Sequence, residues 1–322
     1  MFRWHKLGKV FDPHLVGGRS WLQEFAQAPS AIILDDVIRV YFSCRPKPDA
    51  AGQYVSYSAY VDLDRADPTR VRAVAEQPIL TLGGLGCFDE FGTYPVSVIR
   101  HGSRFRAYYG GWTRCESVPF NVAIGCAESD DGGKTFTRLG PGPVIGYSQD
   151  EPFVMSGPKI RRFADMWYLF YIAGTTWKLV EGRPEPVYRI RLATSDDGLT
   201  WTKLGQDLIP PRIEADEAQA SPDVFYRDGR YHMLFCYRYS TGYRSHERGY
   251  RIGYASSDDL LHWQRDDGLA GLEPGADGWD AEMVSYPHVF ADDGRIYLAY
   301  LGNQVGREGF GLARLLEDRD AS

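Results

Sequence analysis

The stretch SDDGLTWTKLG, Ser195 to Gly205, decides how this chain folds. Its first half returns as SDDGGKTF (Ser129 to Phe136) and as SDDLLHW (Ser257 to Trp263). Its second half returns as FTRLG (Phe136 to Gly140) and, far from the others, as WHKLG (Trp4 to Gly8). Paired aspartates before an aromatic are either catalytic carboxylates or the turn of a repeated unit. The surrounding sequence chooses between these.

Upstream of each copy a proline opens an alternating apolar run: FAQAPSAII, FGTYPVSVI, VMSGPKI, AQASPDVF and MVSYPHVF. These prolines are Pro29, Pro95, Pro158, Pro222 and Pro287, spaced by 66, 63, 64 and 65 residues. An aromatic second run follows each, as in IRVYFSCR, FRAYYGGW, MWYLFYIAG, YHMLFCYR and IYLAYLGN. A variable loop leads to a third run, such as VAIGCAES, RIRLATS or RIGYASS, which in the middle three copies enters the SDD motif and a short fourth run. Period-2 alternation with aromatic and β-branched residues marks strands. Four antiparallel strands at this period describe a propeller blade.

The fifth copy stops after its third run, GFGLARL, and WHKLG at the other end of the chain supplies the missing fourth. The sequence therefore predicts an all-β chain, one five-bladed propeller domain over residues 1–322, with residues 2–8 closing the last blade. In that frame the SDD motif connects strands three and four. Asp bonding its own backbone and Gly at positive φ suit a tight turn, so Asp196 and Asp197 are turn residues on the face away from the strand starts.

The composition agrees. Aromatics are 14% of the chain, and glycine and proline run its whole length, as many turns require. Net charge is -7 with no basic run, which argues against a nucleic-acid partner. No apolar run approaches the about 20 residues of a membrane helix, so no membrane partner is expected. Cys44, Cys87, Cys115, Cys126 and Cys236 have no CxxC spacing, and the N-terminus shows no apolar core of leader length. Those features give the expectation of a cytoplasmic, reduced protein.

A small propeller binds ligands at one mouth of its channel. The start of strand one and the end of strand two share that rim. Five residues before each proline stand Glu24, Glu90, Phe153, Glu217 and Glu282, with Asp89, Asp216 and Asp280 nearby and Asp150 and Glu151 in the third copy. Sixteen residues after each proline stand Arg45, Gly111, Gly174, Arg238 and Asn303, with Trp112 beside the second. Tyr94 and Tyr286 precede their prolines. Acids and aromatics on one rim suit a sugar, because carboxylates serve glycosidic cleavage and grip hydroxyls. Glu90, Glu217 and Glu282 are the candidate catalytic acids. Glu24, Arg45, Asp89, Tyr94, Trp112, Arg238, Asp280, Tyr286 and Asn303 are the candidate substrate contacts. No cofactor is expected. His288, next to Pro287, is a weak candidate for a channel metal ion. The long loops Trp112 to Asn121, Thr175 to Arg189 and Tyr237 to Arg251 would wall the site.

The five xxP strand starts, with turns such as SSDDLLHW, resemble the five-bladed glycosidase propellers: the arabinanase and xylosidase group of family 43, the invertase and levansucrase group, and the mannoside phosphorylases of family 130. SDDGGKTF also fits the Asp-box turn of sialidases and other propellers. FAQAP, YFSCR, FDEFGTYP, YRIGYASSDD and GWDAEMVSYP look closest to members found among bacterial polysaccharide-synthesis proteins. The resemblance implies a carbohydrate-active enzyme. Its catalytic acids do not carry over: the family's three acid positions correspond here to Ala28, Gly157 and Ala220. The sequence expectation is a glycoside hydrolase or transglycosidase acting on a small or oligosaccharide substrate. Two alternatives are a phosphorylase or transferase on a phosphate- or nucleotide-linked sugar, with Arg45, Arg238, Arg244 and Arg251 on the phosphoryl group, and a non-catalytic glycan-binding propeller.

Overall fold

The computed structural model describes residues 1–316. Its twenty strands form five four-stranded antiparallel sheets, each built from consecutive strands except the last. In the last sheet the N-terminal strand Trp4–Phe11 pairs with Phe310–Leu315 at the outer edge. The closing strand is thus longer than WHKLG alone, and it completes the four strands of that blade. The inner strands are Glu24–Ile33, Gly92–His101, Phe153–Phe163, Ala218–Arg227 and Ser285–Asp292, each carrying its proline. Hydrophobic residues form five cores, one at each junction between neighbouring blades. Ile38, Phe42, Phe290 and Leu312, for example, join blades one and five, and Phe170, Ile190, Val224 and Met233 join blades three and four.

The SDD turns are structural. In the second blade Asp131 accepts the backbone N–H of Lys134 and Thr135 and the hydroxyls of Ser129 and Thr135. Asp197 and Asp259 take the same role in blades three and four. Neighbouring blades dock on these turns. Tyr41 and Arg39 of blade one donate to the carbonyls of Gly133 and Gly132. Tyr108 and Arg106 of blade two donate to those of Gly198 and Asp197. The turn therefore stitches blade to blade, which explains why its sequence repeats.

One expected loop is ordered differently. Thr175 to Arg189 continues strands two and three of blade three into a long hairpin, with Met166–Val180 paired to Arg183–Ser195. Its alternating WKLV and PEPV residues satisfy their backbone in each other rather than in solvent.

Every inner strand slips register around its proline, between Gln27 and Ser30, Thr93 and Val96, Ser156 and Lys159, Ala220 and Asp223, and Ser285 and His288. Proline has no N–H to give the ladder, so a bulge is where it fits. The residue before it is left-handed in four blades: Ala28 (φ 52), Gly157 (φ 61), Ser221 (φ 50) and Tyr286 (φ 52). In blade two the Tyr94–Pro95 bond is cis. The left-handed region costs a residue with a Cβ about 1–2 kcal/mol. The fold accepts that cost at the channel mouth, where the bulge turns these side chains.

Candidate functional site

The acids of the rim divide into two groups. Asp89 accepts from Tyr109 Oη (2.9 Å) and Arg138 Nε (2.7 Å). Glu151 accepts from Tyr171 Oη (2.8 Å) and pairs with Lys203 (2.8 Å). Asp280 accepts from Tyr300 Oη (3.0 Å) and Lys6 Nζ (2.7 Å). In each blade the tyrosine comes from strand two and the base from the fourth strand, so the acid latches its own sheet together. In blade five that base is Lys6, which locks the N-terminal strand into place. Glu217 belongs to the same series. It is 0% exposed, pairs with Arg265 at 2.6 Å, and takes the N–H groups of Arg212 and Ile213 and the amide of Gln219. Leu22 and Phe42 fill the equivalent place in blade one with an apolar contact.

The three candidate catalytic glutamates are therefore not brought together by any contact among the described residues. Glu217 is committed to Arg265. Glu90 accepts the N–H of Gly86 in its own loop. Glu282 is exposed, and its backbone N–H donates to Asn303 Oδ1 at 2.8 Å. Asn303 also donates to Gly278 O, so its amide shapes the blade-five loop. Trp112 is turned to Ser56 Oγ (2.6 Å) and packs near Phe91. Asp216 pairs with Lys178 of the hairpin.

What does converge on the mouth is tyrosine and arginine. Tyr94 and Tyr286, from blades two and five, bring their hydroxyls to 3.3 Å across the face of blade one. Tyr286 lies against Tyr250, with ring centroids 6.0 Å apart, and Tyr250 Oη meets Tyr188 Oη at 2.6 Å. Arg238, 1% exposed, supports this pair. It donates to Tyr250 Oη (3.0 Å), Tyr188 Oη (3.2 Å) and the carbonyls of Pro186 and Tyr239, and stacks on Tyr243 at 3.7 Å. Its donors are all used, so it positions tyrosines rather than facing a ligand. Arg244 pairs with Glu185, and Arg251 bonds backbone carbonyls.

Arg45 is different. Its guanidinium stacks over Phe25 (4.6 Å) and Tyr54 (5.3 Å) and lies 6.0 Å from the Tyr94 ring. Its polar partner is Gln27 Oε1 at 3.5 Å, the limit of a hydrogen bond. Among the described residues no carboxylate lies within ion-pairing distance. Burial pulls its pKa below the usual arginine value, with Tyr94 and Tyr54 opposing. Its register partner, Glu24, is drawn to Arg307 (3.0 Å) and Tyr54 Oη (3.0 Å) instead. Burial would raise the Glu24 pKa, but Arg307 and Tyr54 outweigh it and hold the carboxyl below its ordinary value. Arg114 flanks the same spot, donating to Tyr54 O and lying 4.3 Å from the Phe91 ring. Tyr54 and Arg114 were not singled out from the sequence. Both belong to variable loops outside the repeat, where spacing carries no signal.

His288 does not build a metal site. The carboxylate beside it, Asp223, already serves Arg161 and the N–H of Val289, and the Lys159 ammonium lies 3.4 Å from His288 Nδ1. Among the described residues no group of three His, Cys, Asp or Glu side chains gathers there. A resident ammonium leaves no charge deficit for a divalent cation to fill.

No family model matches the sequence. Among curated proteins the chain is 33% identical over 313 residues to the uncharacterized protein Rv1502 of Mycobacterium tuberculosis (strain ATCC 25618 / H37Rv), covering 97% of this chain and 99% of that one. It is 31% identical to raffinose invertase of Escherichia coli over 106 residues, 33% of this chain and 20% of the invertase. Among solved structures it resembles a glycoside hydrolase with a TM-score of 0.75 at 16% identity, over 96% and 91% of the two chains. It also resembles a structure from the GH130 family of mannoside phosphorylases with a TM-score of 0.71 at 15% identity, over 99% and 94%. The fold is that of the glycoside hydrolase propellers, as the strand starts imply. With nearly the whole length of both chains aligned, this protein belongs to the same family as the mycobacterial protein Rv1502.

Proposed function

We propose that this propeller is a carbohydrate-active enzyme whose sugar substrate carries a phosphoryl group, as a sugar phosphate or a nucleotide-linked sugar. The observation that carries this reading is Arg45. A guanidinium taken partly out of water with no ion-pair partner among the described residues is costly, and an anion arriving at the mouth would remove that cost. Arginine suits a phosphoryl group because its fixed fork meets two oxygens at once. The half-buried faces of Tyr94 and Tyr286 beside it suit a sugar ring, and Arg114 adds a second charge-assisted donor. In this reading glycosyl transfer occurs next to the phosphoryl group, to or from inorganic phosphate or a nucleotide diphosphate.

The test is turnover and binding with sugar 1-phosphates and nucleotide-linked sugars, each with and without inorganic phosphate. Binding that is lost in Arg45→Met is the expected result. Cleavage of neutral glycosides together with indifference to every phosphorylated compound would sink the proposal. A second reading, hydrolysis of a glycosidic bond, is favoured by Glu282, an exposed carboxylate at the rim with no side-chain ion pair among the described residues. It requires Glu282→Gln to abolish cleavage of neutral glycosides.

A further inference from the structure

At the mouth, blade five reaches over blade one through the loop between its second and third strands. Three contacts hold the loop there. The Phe25 N–H donates to Arg307 O at 2.9 Å, Gln27 Nε2 donates to Val305 O at 2.7 Å, and Arg307 Nη2 donates to Glu24 Oε1 at 3.0 Å. Within the loop Gln304 (φ 53) and Val305 (φ 55) are both left-handed. That region disfavours side chains with a Cβ, and β-branched ones most, so the clasp holds the loop in a shape it would not take alone.

All three contacts fall on residues around Arg45. Glu24 is its cross-strand partner, and side chains so paired stand about 5 Å apart at Cβ. That spacing brings an ionised carboxylate within reach of the guanidinium, and the two pair when nothing else claims either. Here Glu24 is claimed twice: one oxygen goes to Arg307 and the other to Tyr54 Oη at 3.0 Å, while Arg45 lies over the Tyr54 ring at 5.3 Å. Arg45 still feels the Glu24 charge, but it does not hold the carboxylate. Gln27 is fixed as well. Its amide nitrogen is spent on Val305 O, so it turns an uncharged oxygen toward Arg45.

We propose that Arg307 is a positioning residue: it holds the Glu24 carboxylate off Arg45 and so keeps that guanidinium open to the phosphoryl group of the substrate. This rests on the phosphoryl reading above and adds the residue that maintains it. Arg307 acts through Glu24, not through contact with the ligand. Without Arg307, Glu24 closes on Arg45, and an arriving phosphoryl group has to displace an internal carboxylate before it can bind.

Calorimetric binding of glucose 1-phosphate to the wild type, to Arg307→Met and to Arg307→Met combined with Glu24→Gln tests this. The Arg307 side chain is 44% exposed, so the variants are expected to melt near the wild type. Arg307→Met is expected to bind about tenfold more weakly. Adding Glu24→Gln is expected to restore binding, because Gln has no charge to offer Arg45, and Arg307→Lys is expected to stay near the wild type. Unchanged binding in Arg307→Met overturns the inference. So does a double variant that fails to recover, which is the result if Arg307 is merely structural or touches the ligand itself. A crystal structure of Arg307→Met needs no ligand: a Glu24 oxygen within about 4 Å of the Arg45 guanidinium supports the inference, and Glu24 left on Tyr54 overturns it. If Arg307→Met does not fold, Arg307→Gln gives the same readouts. Binding by the wild type with Glu24 left on Tyr54 in the variant defeats this inference alone. Glu24 closed on Arg45 in the variant, with no phosphorylated compound bound by the wild type, defeats the proposed substrate alone.

Discussion

The two faces of the propeller spend their polar groups in opposite ways. On the far face Asp131, Asp197 and Asp259 are surrounded by backbone N–H groups and hydroxyls supplied within four residues, and neighbouring blades dock on the finished turns. At the mouth Arg45 lacks a carboxylate, His288 Nε2 and the hydroxyls of Ser221 and Ser285 lack partners, and in four blades the residue before the proline sits at left-handed φ. Satisfied polar groups hold a fold together. Unsatisfied ones are retained at a cost, which a bound group can remove.

Cutting a latch is the largest test of this contrast. Glu217→Ala would take one of two carboxylates from the buried Arg265 guanidinium, which keeps Asp267, and would leave the N–H groups of Arg212 and Ile213 without their acceptor; it is expected to cost about 1.5–3 kcal/mol of stability, read from urea unfolding. Glu217→Gln separates the roles: a latch residue loses stability first, whereas an acid catalyst would lose turnover with the fold intact. On the far face, Asp197→Ala removes an acceptor from the Leu199 and Thr200 N–H groups and is expected to lower stability less than Glu217→Ala does, with no effect on ligand binding.

Acid should act on the same face. Burial pushes the Asp131 pKa up, but the hydroxyl and N–H of Thr135 hold it down at about 2, below the ordinary 3.8. Its native form binds fewer protons than the unfolded chain in that window, so its contribution is complete above pH 3.8 and disappears as pH falls through about 2. Asp131→Asn should flatten the fall of melting temperature over this range, and an unchanged profile would remove the turn from the account. The smallest stability effect is expected at the mouth. Arg45→Met should leave unfolding within about 0.5 kcal/mol of the wild type while abolishing the binding of phosphorylated sugars. A large stability loss there would mean that Arg45 is structural and would blur the contrast between the faces.

How much of this was legible follows from how each residue is held. The blades could be read because each repeats the same local bargain of proline bulge, aromatic strand and aspartate turn. WHKLG showed the closure because a fourth strand keeps its pattern wherever it lies in the chain. The rim acids were legible as positions but not as roles. Asp89, Glu217 and Asp280 stand within two residues of the offset from the proline that Glu24 and Glu282 occupy, and only the strand-four bases Arg138, Arg265 and Lys6 reveal the first three as latches. Those bases lie 49, 48 and 274 residues away from their acids.

By itself the sequence determined the number of blades, their order and the face on which a site must be sought, because period and turn chemistry are local. Tertiary structure decided which charges are spent and which are free. Whether Arg45 has a counter-ion, whether His288 has a donor and whether Tyr94 meets Tyr286 depend on blades far apart in sequence closing around one channel. Coulomb energy and desolvation follow distance in space, which no spacing along the chain records.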